Sequence, residues 1–115
     1  MRRFALRELL VVATVLLPFT GVGAQERSAS HQFTVTMNNM NFGRMPAEVH
    51  VGDAIIWDNQ DTVQHSVTAR DGSFDLRLLP GKKGRTVLKK SGKLAIDCLY
   101  HPTMRTSLNV LPATK

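Results

Sequence analysis

The segment Cys98-Leu99-Tyr100-His101-Pro102-Thr103-Met104 sets a thiol, an imidazole and a thioether at three-residue intervals on what must be one tight loop. A cysteine thiolate, two histidine nitrogens and a distant methionine sulfur are the donors of a trigonal copper site with a weak axial bond. His65 is the candidate second histidine, so His65, Cys98, His101 and Met104 are the expected metal ligands. Cys98 is the single cysteine, so no intramolecular disulfide can form and the thiol needs another role. Zinc would also accept Cys98, His65 and His101, but the thioether at Met104 favours copper. No nucleophile, base and orienting group stand together, and four ligands leave no open position for substrate. Neither catalytic residues nor an organic cofactor site is therefore expected.

Donors drawn from distant parts of a chain need a rigid frame. Gln32-Phe33-Thr34-Val35-Thr36-Met37 alternates polar with apolar or β-branched residues at a period of two, the pattern of a strand. Further strands are expected over 47–51, 54–58, 65–69, 85–89, 93–98 and 106–111. Gly52-Asp53, Asp71-Gly72, Pro80-Gly81 and Ser91-Gly92 supply the turns between them. No helical period follows the N-terminal segment, and about seven to eight short strands at this spacing imply an all-β Greek-key sandwich. Trp57 is expected between the sheets, Met37 and Met40 in the core, His31 and His50 at the surface, and Asp97 facing outward.

The first residues carry Arg2, Arg3 and Arg7, and an apolar run extends from Leu9 to Leu17. This is the pattern of a secretory leader, and the small residues Val22 and Ala24 place cleavage after Ala24. The run is too short to span a bilayer, so the expectation is a leader over 1–24 and one exported domain over 25–115 in the periplasm. Loss of the leader lowers the net charge from +6 to +4. The exported domain stays basic. Nucleic acid is not an expected partner in that compartment, and a monomer without stable membrane insertion is expected. Lys82, Lys83, Arg85, Lys89, Lys90 and Lys93 crowd one region that reads as a solvated sheet edge or hairpin, since charged edges prevent aggregation, with a patch that steers a partner as the alternative.

Taken together, these segments resemble the cupredoxins, especially the plastocyanin and amicyanin group. Met40-Asn41-Phe42 with Met45-Pro46-Ala47 resembles the opening strand and bend of that family. The run Val51-Gly52-Asp53-Ala54-Ile55-Ile56-Trp57-Asp58-Asn59 resembles its glycine-turn strand, and Asp61, His65 and Val67 match the approach to the first ligand. The 98–104 loop, with its His-Pro step, is similar to that of amicyanin. Two positions depart from the family. Ser66 stands where an asparagine often ties the two ligand segments together, and a serine has shorter reach. Tyr100 stands where a proline is usual, restoring an N–H that, aimed at the Cys98 sulfur, would lower the reduction potential.

The resemblance implies one type 1 copper ion, with His101 as the electron exit through a surface apolar patch to which Pro102 and Met45 contribute. The expected function is a periplasmic carrier of one electron between larger redox proteins, such as a cytochrome and a dehydrogenase or oxidase. The alternative is a periplasmic copper-homeostasis protein that buffers or delivers the metal.

Overall fold

The computed structural model describes residues 13–18, 21 and 30–114. The leader expected over 1–24 and its cleavage point lie for the most part outside the described residues; residues 13–18 and 21 are exposed and irregular. Among the described residues no helix is long and apolar enough to cross a membrane.

Nine strands form, in the order β1 (Gln32–Asn38), β2 (Asn41–Phe42), β3 (Val49–His50), β4 (Ala54–Asn59), β5 (His65–Ala69), β6 (Asp75–Leu78), β7 (Lys83–Val87), β8 (Gly92–Asp97) and β9 (Arg105–Leu111). One sheet runs β2-β1-β4-β7 and the other β3-β9-β8-β5-β6. β1 pairs parallel with β4 and β3 parallel with β9, while the remaining pairs are antiparallel. The chain passes repeatedly from one sheet to the other, so the sandwich is stapled across its core by its own connections. The inner faces bury Val35, Met37, Ile55 and Trp57 against Val67, Ile96, Leu108 and Val110. Trp57 lies between the sheets as expected. Its indole N–H donates to Thr86 Oγ1 at 2.9 Å, so the one polar atom of this large side chain is satisfied inside the core.

Several details differ from the sequence reading: nine strands form where seven to eight were expected, β2 is additional, and the strand expected over 47–51 is reduced to Val49–His50. β6 lies outside the expected strands, because Asp75-Leu76-Arg77-Leu78 follows a turn directly and half of its residues are charged; its two leucines nevertheless point inward at a period of two. The strand expected over 85–89 begins two residues earlier, at Lys83. At Gly84 the strand passes close to β6: a Cβ there would meet the tip of the Leu76 side chain, Cδ1, at 2.7 Å, and that side chain would have to shift. Met40 is not in the core. Asn39 and Met40 have φ of 49° and 61°, the paired left-handed conformation of a two-residue hairpin turn, and this leaves Met40 39% exposed. Of the basic cluster, Lys83 and Arg85 lie exposed on β7, the edge of its sheet, while Lys93 lies on β8, an inner strand of the other sheet.

Asp53 ties down the end of the sandwich remote from the 98–104 loop. It is buried, and its two carboxylate oxygens accept the N–H groups of His31, at 2.9 Å, and His50, at 2.8 Å. The entry to β1 and the β3–β4 turn thereby share one anchor. Burial pushes the Asp53 pKa up, but the two N–H groups and the nearby His31 and His50 rings outweigh it, and the net direction is below the ordinary 3.8. A carboxyl lowered on folding contributes stability that is present above pH 3.8 and is lost as the pH falls through that value towards the lower folded pKa. Asp53→Ala, which orphans both donors, is expected to cost about 1–3 kcal/mol in urea unfolding at neutral pH. It should also flatten the loss of stability on acidification below about pH 4; an acid profile parallel to that of the parent would assign the loss elsewhere.

Candidate metal centre

His65 opens β5 and Cys98 directly follows β8, two strands that pair as neighbours and then part. β5 and β8 pair only at Thr68 with Asp97 and Ala69 with Ile96. Towards His65 and Cys98 the backbone ladder stops, and side chains take over its donors. The Leu99 N–H donates to Ser66 Oγ at 2.7 Å, and the Ser66 N–H donates to Cys98 Sγ at 3.4 Å. Ser66 therefore does tie the two ligand segments together, reach notwithstanding, because the strands are already adjacent. The gap left between them holds the candidate ligands.

His65, fully buried, is fixed from behind. Its Nε2 lies 2.9 Å from Asp61 Oδ2, which makes Nε2 the protonated nitrogen and leaves the Nδ1 lone pair directed to the other side. That Nδ1 faces Cys98 Sγ at 3.9 Å. Asp61 is itself well held: it accepts the Met40 N–H at 2.9 Å and the Thr62 N–H, also at 2.9 Å. The Met40 N–H first, then His65 and the Thr62 N–H, bring the Asp61 pKa from 3.8 down to about 2, so it is an acceptor at every ordinary pH. Behind Asp61, Asn59 is fully buried and makes three bonds, donating to Val63 O and Leu78 O and accepting the Asp61 N–H. The 59–65 loop is thus pinned to the end of β6.

The 98–104 loop closes on itself. The Cys98 N–H donates to Met104 O at 3.0 Å and the Met104 N–H donates to His101 O at 2.9 Å, which returns Met104 to the position beside Cys98 and buries it. His101 packs edge-on against His65 with ring centroids 5.1 Å apart. His65, Cys98 and His101 each bring one donor atom within 4.8 Å of the others, the one such group among the described residues. The Tyr100 N–H makes no bond to the sulfur. Ser66 supplies that donor, while Tyr100 is held through its hydroxyl by Arg77 at 3.1 Å.

This arrangement fits a soft transition metal. A thiolate at about 2.3 Å and an imidazole nitrogen at about 2.0 Å from one ion, at a trigonal angle, stand about 3.7 Å apart, close to the separation observed between Cys98 and His65. His101 Nε2 is buried without a hydrogen-bond partner, the only side-chain nitrogen or oxygen so placed among the described residues. Such an orphaned polar atom carries a desolvation cost that makes sense in a metal pocket and not in an apolar core. A thiol and two imidazoles gathered in one buried group suit one copper ion. The roles of Asp61 and Asn59 as supports are visible only in three dimensions, although the Trp-x-Asn-x-Asp spacing marks both residues. Asp61→Ala, which frees the His65 ring, is expected to weaken cobalt(II) binding by roughly tenfold to a hundredfold in a competition titration; unchanged affinity would remove Asp61 from the support of the site.

Residues 9–110 match the family model described as a cupredoxin-like domain. The methylamine utilization protein MauL of Methylorubrum extorquens is 29% identical over 109 residues, covering 91% of this chain and 96% of that protein. Among solved structures, a reduced mutant of amicyanin superposes with a TM-score of 0.58 at 23% identity, covering 69% of this chain and 81% of that one. Amicyanin from Paracoccus versutus gives 0.58 at 18% identity, with 69% and 80% covered. A purple cupredoxin from Nitrosopumilus maritimus gives 0.54 at 20% identity, with 67% and 97% covered. With a two-sheet sandwich, a buried histidine-cysteine-histidine group and a family match over nearly its whole length, the chain belongs to the cupredoxin-like family.

Proposed function

We propose that this protein is a type 1 copper protein that carries single electrons between larger redox proteins in the periplasm, with His65, Cys98, His101 and Met104 as ligands. The observation that carries the reading is the buried His65–Cys98–His101 group, whose first imidazole is locked by Asp61. Copper, when bound, supplies a one-electron couple. The protein supplies constraint: Asp61 holds the His65 ring, Ser66 donates to the Cys98 sulfur, and the two loop-closing bonds hold Met104. Fixed donors change little between oxidation states, and little rearrangement favours fast transfer.

Residues around the site also support exchange with another protein. Leu79, Leu99, Tyr100, Met40 and Val63 are all exposed, by between 38% and 55%, and all belong to segments tied to Asn59, Asp61 or the ligand loop. Exposed apolar side chains on segments tied together in this way are consistent with an interaction site. His101 and Met45 are half-buried at this end, and Pro102 is exposed. His101 is thus the short route from the donors to a docked partner. The partners are a redox donor and acceptor, and the methylamine utilization role in the name of the MauL relative favours a dehydrogenase among them. The charged and apolar pattern of residues 1–24 supports a leader and an exported domain over 25–115.

Copper(II) added to metal-free protein is expected to give an intense red-region thiolate-to-copper band that is lost in Cys98→Ser. Weak absorption in both would overturn the reading. Met104→Leu should retain the band and raise the reduction potential measured by voltammetry, because an axial sulfur donor stabilises the oxidised ion; an unmoved potential would take Met104 out of the ligand set.

A further inference from the structure

Ser66, Thr68, Asp75 and Arg77 share one face of the β5–β6 hairpin, where Ser66 is paired with Arg77 and Thr68 with Asp75. Their side chains form a continuous chain of hydrogen bonds that starts and ends on the ligand loop. The Leu99 N–H donates to Ser66 Oγ at 2.7 Å; Ser66 Oγ and Thr68 Oγ1 are 2.9 Å apart; Thr68 Oγ1 donates to Asp75 Oδ1 at 2.8 Å. Arg77 grips the same carboxylate with Nε at 2.9 Å and Nη2 at 2.8 Å, and its Nη1 donates to the Tyr100 hydroxyl at 3.1 Å. Its guanidinium carbon also lies 5.6 Å from the centre of the Tyr100 ring, within cation–π range.

The direction of every bond in this chain follows from Asp75. An ionised carboxylate only accepts, and the Arg77 guanidinium, followed by the Thr68 hydroxyl, holds its pKa below the usual value. Thr68 must therefore give its single proton to Asp75. Its oxygen is then left to accept from Ser66, and Ser66 in turn presents a lone pair to the Leu99 N–H. Chains of this kind polarise one another, so the anion strengthens the bond at the far end. Arg77 reaches the next loop residue from the other side.

We propose that Asp75 and Arg77 form a brace that positions the ligand loop through Leu99 and Tyr100, and so governs the surroundings of the Cys98 sulfur without touching the metal. The inference deepens the electron-carrier reading and rests on it only for its spectroscopic consequence. Residue 100 carries no proline to stiffen the loop, and the brace restrains the loop from outside.

Both residues are 45% exposed, so Asp75→Asn and Arg77→Met should fold. In metal-free protein, amide hydrogen exchange followed by NMR should quicken roughly threefold to tenfold at Leu99 in both variants, with the β8 and β9 amides unchanged. Tyr100→Phe should leave Leu99 alone, because it removes only the Arg77 arm. In copper-loaded protein the charge-transfer band and the reduction potential should both move in Asp75→Asn and Arg77→Met. Leu99 exchange matching the parent, quickening spread evenly over the sandwich, or faster exchange with an unmoved band and potential would each overturn the brace. If no band forms in the parent, the electron-carrier reading fails, and Leu99 exchange in the metal-free protein decides on the brace alone.

Discussion

His65 and Cys98 lie 33 residues apart in sequence, yet their donor atoms must meet inside a domain too small to hold much surplus stability. The contact that makes this possible is the splice at Ser66. Where β5 and β8 separate, the ladder would leave the Leu99 and Ser66 N–H groups without acceptors, and buried donors without acceptors are costly. The Ser66 hydroxyl takes the first and the Cys98 sulfur takes the second. The strands can therefore part widely enough to admit a metal while both donors stay satisfied. The same N–H···S bond stabilises charge on the thiolate, so one residue serves both the fold and the electronics of the site.

Carboxylates organise the molecule at both ends by accepting backbone N–H groups. Asp53 gathers the start of β1 and the β3–β4 turn. Asp61 gathers the β1–β2 hairpin turn and the His65 ring, and the parallel register of β1 with β4 brings Met37 opposite Asn59 so that the turn reaches it. Parallel pairing thus has a direct consequence for the metal centre: it sets β1 and β4 running towards the same end, where the left-handed turn at Asn39 and Met40 packs over the loop that holds His65. An acceptor held by several donors is rigid, and that rigidity passes to the imidazole.

The most conspicuous charged residues of the chain have the plainest role. Lys83 and Arg85 line the exposed edge of β7, where unpaired backbone would otherwise invite another strand. The exposed apolar side chains Met40, Val63, Leu79, Leu99 and Tyr100 lie instead on turns and loops, where no sheet can bury them. Charge thus protects the edge strand, and these apolar side chains sit in the connections between strands.

The chain by itself determined the two-sheet class, most of the strands and the group of His65, Cys98 and His101. Period-two alternation and glycine turns are local signals, and a thiol, an imidazole and a thioether spaced evenly on one short loop already specify a soft-metal donor set. Tertiary structure decided what local patterns do not carry. The leucines of β6 are sorted from Asp75 and Arg77 only when the strand has a partner; β7 starts at Lys83, two residues before the local pattern suggests; and Met40, apolar by type, is turned outward by the hairpin geometry. The supports of the site were decided in the same way. Ser66, Thr68, Asp75 and Arg77 become one chain through the register of β5 with β6, and they act on Leu99 and Tyr100 through the approach of β8. Residues far apart in the chain meet only when strand pairing brings them to one face, and sequence patterning encodes the face of each residue without its neighbours.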